Sequence, residues 1–565
     1  MATVHLLFGP PGTGKTTTCK NWVERAAYNF GARNVLVASF TRAAAAEIGG
    51  RLPDLPKRNV GTLHSICYRA LDYPDLTEGR EGEFGKLHPS FALTTHARRS
   101  KTDAGTDDAG EAGKSKIDEP FEQKKETRGD KLRSEMDLLR ARRIPREKWS
   151  PRILPFAAAY EKWKEDAGLL DFTDLLETCL SDFESAPGNP AAIFFDEAQD
   201  ASQLQADILQ QWGRNAQRLI LAGDDDQAIY FWAGADAKSF LDFPCEDIDK
   251  RYLRQSYRVP RAVHAVASRW VKRLHHREDK QYDPRDAEGF LRRCSANFKR
   301  PDEAVDLAER FAGEGKSVML MAACSYMLGP LKALLRQRGL PFHNPWRVKR
   351  GDWNPLTSGA AADPPCLMPV DRMLSFLRPD HETWGADACL WQGRDVCAWA
   401  SLLDTKGCLM HGAKSKLKLL KGDAGPFDWG TAEGLFRPDI LNDLERLPFS
   451  SRKECTLALR WWLSRVSLKE RSKYAYPARV QQARGGKALR DRPLITIGTG
   501  HSLKGSEADV AIVFPDLSAK GWEAWIIDPE GHDGIVRLFY VMLTRAREGL
   551  VICNGASPTC VNLTD

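Results

Sequence analysis

The chain has 565 residues, 42% hydrophobic and 28% charged, with a formal net charge of +6. It is too long for one core, so roughly three or four domains of ~100–200 residues are expected, and the composition excludes a fibrous or wholly disordered chain. The modest charge permits a polyanionic partner without demanding one, so local charge must decide.

The start, MATVHLLFGPPG, has no charged segment followed by a full apolar one, and no apolar run reaches the ~18 residues of a membrane helix, so a cytoplasmic location is expected. Thirteen cysteines are scattered without a CxxC pair. Cys389 and Cys397, near His381 and His411, form the closest interesting spacing, and simple reduced thiols are expected there rather than a metal site.

VHLLF (4–8) runs into GPPGTGKT (9–16) and then a helical stretch to about Phe30. This fits G-x-x-x-x-G-K-[ST], in which glycines let backbone N–H groups turn around phosphate oxygens and the helix N-terminus adds a favourable dipole. Gly9, Pro10, Pro11, Gly12, Thr13, Gly14, Lys15, Thr16 and Thr17 are therefore the candidate nucleotide-binding residues, with Lys15 reaching the β/γ-phosphates and Thr16 ligating Mg²⁺. NVLVASF (34–40), AAIFFDEA (191–198) and RLILAGDD (218–225) repeat the design of an apolar run ending in polar residues. Such runs suit strands buried on both faces of a parallel sheet, with ligands beyond their carboxyl ends. In FFDEAQD (194–200), Asp196 is placed to hold Mg²⁺ and Glu197 to polarise the attacking water. GDDDQAIYFWAGAD (223–236) joins an acidic turn to three aromatics, as though one end senses a nucleotide and the other grips a base.

A first insertion spans about 72–181. Within it, residues 97–131 hold nine basic and nine acidic side chains and read as a mobile loop that cannot bury enough surface to offset its ordering entropy. KLRSEMDLLRARRIPREKWSPR (131–152) is either a phosphate-facing segment or a solvated helix face. A second apolar set, SVMLMAA (317–323), LITIGTGH (494–501), VAIVF (510–514) and GLVICN (549–554), predicts a second α/β core, with RLFYVMLTRAREG (537–549) helical. The insertion at roughly 345–488 holds half of the sixteen tryptophans and KSKLKLLK (414–421), again either a nucleic-acid stripe or a solvated face. Arg258 in LRQSYRVP and Arg545 in MLTRAREG are the candidate phosphate-facing cations, since a planar guanidinium stays charged and binds oxygens in pairs.

These segments form an ordered set with SFTRAAAAEI (39–48), GTLHS (61–65), LDFTDLL (170–176), GTGHSLKGSE (498–507) and RLFYVMLTRA. Together they resemble UvrD/Rep-type superfamily 1 DNA helicases from Gly9 to Ala546. The resemblance implies an α/β fold of two RecA-like parallel-sheet P-loop cores, each with a largely helical inserted accessory domain. By this layout the first core is 1–71 with 182–255, and its insertion is 72–181. The second core is 256–344 with 489–565, and its insertion is 345–488. It implies ATP and Mg²⁺ as cofactors, single-stranded DNA and duplex junctions as partners, a possible protein partner, and 3′ to 5′ translocation with unwinding. Carried over by motif, Gln227 would contact the γ-phosphate, Tyr257 would stack on the base of ATP and Glu507 would touch the ribose. Arg258 and Arg545 would act as paired fingers from the second core. Phe40 and Trp232 would stack on DNA bases, while Thr62, His64, Thr499 and His501 would meet the strand or couple it to ATP.

Three departures from the family pattern are visible. Only eight residues precede Gly9, where an adenine-reading glutamine segment is usual, so looser base choice is expected. Ala233 stands where arginine often follows the stacking aromatic, and KGSE replaces KGLE at Ser506. No nuclease domain is expected after Arg545.

Overall fold

A computed structural model describes residues 3–40, 54–94, 127–347, 352–359 and 366–564. The apolar runs become β1 (Thr3–Phe8), β2 (Val35–Ser39), β4 (Ala192–Asp196) and β5 (Arg218–Gly223), joined by the short β3 (Val60–Thr62) and β6 (Lys250–Tyr252). They form one parallel sheet in the order β3-β2-β4-β5-β1-β6. Alternate side chains feed two cores. From β4, Ile193 and Phe195 join Leu6, Phe8, Leu221, Ile208 and Trp212 on one face, whereas Ala192 and Phe194 meet Val23, Val37 and Ile220 on the other. Both faces are covered, which is why these strands read as continuous apolar runs.

The first insertion builds its own aromatic core from Phe84, Met136, Trp149, Phe156, Tyr160 and Trp163. Of the expected mobile loop, residues 97–126 lie outside the described residues. Residues 127–131 are not a loop: Thr127 and Asp130 form a capping box that starts the helix Arg128–Ala141. The basic segment 131–152, which begins within this helix, is engaged within the protein. The buried Arg140 guanidinium donates to Asp171, Asp174 and Glu177, Arg143 pairs with Asp207, Arg146 with Glu161 and Arg152 with Glu135. Asp171, the aspartate of LDFTDLL, also accepts from the Lys164 ammonium at 2.7 Å, so that motif anchors the insertion to its own core.

In the second sheet the order is β11-β12-β10-β13-β14-β9, made of β9 (Phe290–Cys294), β10 (Val318–Ala322), β11 (Phe342–His343), β12 (Ile495–Thr499), β13 (Ala508–Val513) and β14 (Ala546–Cys553). β10 pairs in parallel with β12 and β13. The helical segment inserted before β12 packs around its own rings: Phe376 stacks on Trp462 at 5.3 Å and Trp399 on Phe436 at 5.7 Å. KSKLKLLK forms the helix Ala413–Leu419, which buries Ala413 and Leu417 and exposes its lysines. The architecture is thus α/β, with two RecA-like parallel-sheet cores and largely helical insertions.

By contacts the chain divides into Met1–Arg292, Leu517–Leu550 and Thr559–Asp565 as one compact unit, and Arg293–Asp516 with Val551–Pro558 as another. Residues 256–292 and 517–550, expected with the second core, group with the first. The bonds that draw them there belong to the candidate site. The helical reading of 537–549 also shortens: the helix is Pro529–Leu543, and Ala546 already begins β14, which leaves Arg545 in the turn between them. Among the described residues no helix is long and apolar enough to cross a membrane.

Candidate nucleotide site and an aromatic row

Strand register sets the site. Phe8 of β1 lies opposite Gly223 of β5, and Asp196 of β4 opposite Ala222, so three neighbouring strands end at one level. The 9–16 loop, the Asp196–Glu197 pair and the Asp224–Gln227 turn all leave from that edge. The Gly9 N–H donates to the Gly223 carbonyl at 2.9 Å, and Thr13 Oγ1 donates to the Pro10 carbonyl at 2.8 Å. Gly12 has φ +73° and a Cβ there would meet Arg258 Cβ at 2.3 Å, so only glycine fits. Gly14, also left-handed, caps the helix Lys15–Phe30, whose first turn carries Lys15, Thr16 and Thr17 at the positive end of the helix dipole.

β7 (Gln255–Pro260), which pairs with the short β8 (Asp283–Arg285), is bonded directly to this loop. Ser256 Oγ donates to the Pro11 carbonyl at 2.7 Å and the Tyr257 N–H to the Gly12 carbonyl at 2.8 Å. Arg258 therefore sits against the loop within the same compact unit. Tyr257 is 71% exposed beside it, an apolar face left open next to a phosphate-type loop.

A continuous series of polar contacts crosses the strand ends. Lys15 Nζ lies 2.9 Å from Glu197 Oε1 and 3.6 Å from Asp196 Oδ1. Gln199 Nε2 donates to Glu197 Oε2 at 2.5 Å, and Gln199 Oε1 accepts from the Asp224 N–H at 2.9 Å. Gln227 Nε2 donates to Asp224 Oδ2 at 2.6 Å, and Gln227 Oε1 accepts from Arg545 Nη2 at 2.9 Å. Arg545 is buried, with Nε on the Val541 carbonyl at 2.8 Å. Lys15, Glu197, Gln227 and Arg545 thus belong to one network, and Gln199 is a member to which the sequence reading gave no role. Burial alone would lower the Lys15 pKa, but the Glu197 and Asp196 carboxylates outweigh it and hold the amine above its usual range. Burial pushes the Asp196 carboxyl up against the pull of Lys15. Its Oδ2 is buried with no hydrogen-bond partner. An acidic oxygen without a donor, at the foot of a phosphate-type loop that ends in the half-buried Thr16, fits a hard divalent cation such as Mg²⁺.

The acidic turn differs from expectation. Asp225 and Asp226 do not face a phosphate cleft; both are buried under cations from the segment 275–282. Lys280 pairs with Asp224 at 3.1 Å, with Asp226 at 3.0 Å, and with Asp225. Arg277 grips Asp226 through two bonds of 3.0 and 2.9 Å, and the Glu278 N–H donates to Asp225 at 2.9 Å. Arg537 Nε donates to the Asp225 carbonyl at 2.9 Å. Burial pushes Asp225 up to about 6 despite Lys280. These bonds, with those of β7 and Arg545, draw residues 256–292 and 517–550 into the first unit. The readable signal was the triplet itself: three aspartates closing a buried strand need cations from elsewhere in the chain.

Beyond the turn the aromatics form a row. Phe40, half-buried, stacks on the buried Tyr230 at 5.3 Å, and the half-buried Trp232 meets Tyr230 edge-on at 6.3 Å. Phe231 lies against Gly534 of the helix Pro529–Leu543, where an added Cβ would come within 2.5 Å of the ring. One helix therefore touches the aromatic segment through Gly534 and leads into Arg545 at Gln227. Ala233 is exposed. Thr62 caps the helix Leu63–Ala70, its Oγ1 accepting from the Ser65 N–H at 3.2 Å. His64 packs edge-on to Phe172 at 6.0 Å, and burial lowers its pKa to about 4. In the second unit Thr499 Oγ1 accepts from the Ser502 N–H at 3.2 Å, His501 is buried and Glu507 is exposed.

Residues 1–246 match the family model described as UvrD/REP helicase N-terminal domain. Similar proteins include a probable DNA helicase II homolog of Mycoplasma pneumoniae, 27% identical over 319 residues that cover 51% of this chain and 42% of that protein. The ATP-dependent DNA helicase PcrA of Staphylococcus aureus is 26% identical over 296 residues, covering 49% and 39%. The putative ATP-dependent DNA helicase YjcD of Bacillus subtilis is 25% identical over 288 residues, covering 47% and 36%. The matches thus span about two fifths of the length of these relatives. Residues 1–246 belong to the UvrD/REP helicase N-terminal domain family, and the chain is similar to these helicases over about half of its length.

Proposed function

We propose that the chain is an ATP-dependent DNA helicase that translocates 3′ to 5′ on single-stranded DNA and unwinds duplex, acting in the cytoplasm. The observation that carries this reading is the contact series from Lys15 through Glu197, Gln199, Asp224 and Gln227 to Arg545. It joins the phosphate-type loop to a buried arginine, as a nucleotide-sensing device requires.

In this reading the loop 9–17 binds the ATP phosphates, Tyr257 stacks on the base and Glu507 touches the ribose. Thr16 and Asp196 hold Mg²⁺, which supplies charge neutralisation on the phosphates. A phosphate group takes Lys15 from Glu197, freeing Glu197 Oε1 to accept a proton from water, while Gln199 keeps the carboxylate oriented. Gln227 faces the γ-phosphate, with Arg545 and Arg258 on the developing charge. Phe40 and Trp232 stack on bases, a grip of ~1–3 kcal/mol each that ignores sequence. Thr62, His64, Thr499 and His501 lie in the strand-facing motifs. We assign the cores to 1–71 with 182–255 and to 256–344 with 489–565, with 72–181 and 345–488 as insertions.

Forked duplexes with a single 3′ or 5′ tail test polarity and unwinding together. Strand separation on the 3′-tailed substrate alone is expected. Separation on the 5′-tailed substrate would reverse the polarity, and ATP turnover on DNA without separation on either would reduce the reading to a translocase or remodelling ATPase.

A further inference from the structure

We propose that His275, His532 and Asp533 form a binding site for one divalent transition-metal ion of the zinc class. The three come from two elements of the same unit: the segment after the helix Arg261–Val271, and the helix Pro529–Leu543. His275 Nδ1 lies 2.7 Å and His532 Nδ1 3.5 Å from Asp533 Oδ1, and one ligand atom from each residue falls within 4.8 Å of the others. Donors on a tetrahedral zinc, at ~2.0–2.1 Å from it, stand roughly 3.3 Å apart, so the measured separations need only side-chain adjustment.

The surroundings suit the assignment. Two imidazoles with one carboxylate select zinc-like ions over Mg²⁺ or Ca²⁺, which prefer all-oxygen sets. Asp533 is buried while His275 is exposed, which leaves an entry path and room for water as a further ligand. The His532 ring is held by stacking on Trp525 at 4.3 Å, and Trp525 stacks on Trp270 at 5.8 Å. Trp270 Nε1 in turn donates to the Val536 carbonyl at 2.8 Å. Two cations face the cluster, Arg537 with Nη2 at 4.0 Å from Asp533 and Arg273 over the Trp270 ring.

The position gives the ion a consequence. The segment of His275 continues to Arg277 and Lys280, which hold the Asp224–Asp226 turn. The helix of His532 and Asp533 continues to Arg537 and leads to Arg545 at Gln227. A bound ion staples the two carriers of these contacts together.

The test is calorimetric titration of Zn²⁺, with Co²⁺ absorption as a geometric probe, on metal-stripped, tag-free full chain. Wild type is compared with H275Q, H532Q and the double variant. His275 is exposed and its backbone N–H makes its own bond to Asp533, so H275Q keeps the fold. One site is expected, weakened at least about tenfold in each single variant, unaffected by excess Mg²⁺, and with a cobalt spectrum free of thiolate charge-transfer bands. Zinc binding equal in wild type and double variant, or none in wild type, overturns the proposal.

Discussion

Lys280 shows how a single side chain fixes this site. Its ammonium is buried among three carboxylates that Arg277 only partly neutralises. Removing one partner of a buried pair leaves charge without compensation, so Lys280→Met is expected to destabilise the chain by ~3–5 kcal/mol in urea melts. Adding Asp225→Asn should recover part of that loss; no recovery would show that Lys280 acts by packing alone. His64 gives a pH signature. Burial lowers its folded pKa from 6.5 to about 4, so between those values the unfolded chain binds a proton that the folded chain does not. Its contribution to stability is present above the higher value and is lost as pH falls through the lower one. The difference is on the order of 2 kcal/mol after allowing for partial exposure. His64→Gln should flatten the acid limb of stability against pH by that amount, and an unchanged limb would mean that His64 titrates normally.

The helix Pro529–Leu543 does at the scale of an element what no single residue does. It meets the aromatic segment at Gly534 and leads into Arg545 at the polar series. Gly534→Ala adds a methyl where the Phe231 ring already sits. It is expected to lower stimulation of ATP turnover by DNA several-fold while leaving turnover without DNA near wild type. Equal stimulation would remove the helix from the coupling. Much of the first sheet was legible at this scale: β2, β4 and β5 follow their apolar runs to within a residue or two, because strands buried on both faces leave no polar interruptions. The phosphate-type loop and the Asp196–Glu197 pair were legible too, since both sit where such runs end. What escaped was tertiary. The cations on Asp224–Asp226 come from a segment more than fifty residues away, and nothing local in HHREDKQY announces them. The helix at Arg128 was hidden for another reason: its Thr127–Asp130 capping box lies in a window whose charge balance reads as loop.

For the whole molecule, the division into compact units placed Arg258 and Arg545 with the phosphate-type loop. The two cations therefore share a unit with Lys15, Glu197 and Gln227, and the aromatic row is packed beside them. The claim that follows is that nucleotide turnover and strand grip are one coupled activity. ATP hydrolysis measured with and without single-stranded DNA, in wild type and Trp232→Ala, tests it most directly. Strong stimulation by DNA is expected in wild type, and weaker stimulation with strand affinity lowered by ~1–3 kcal/mol in Trp232→Ala. Turnover in wild type that is indifferent to DNA would contradict it.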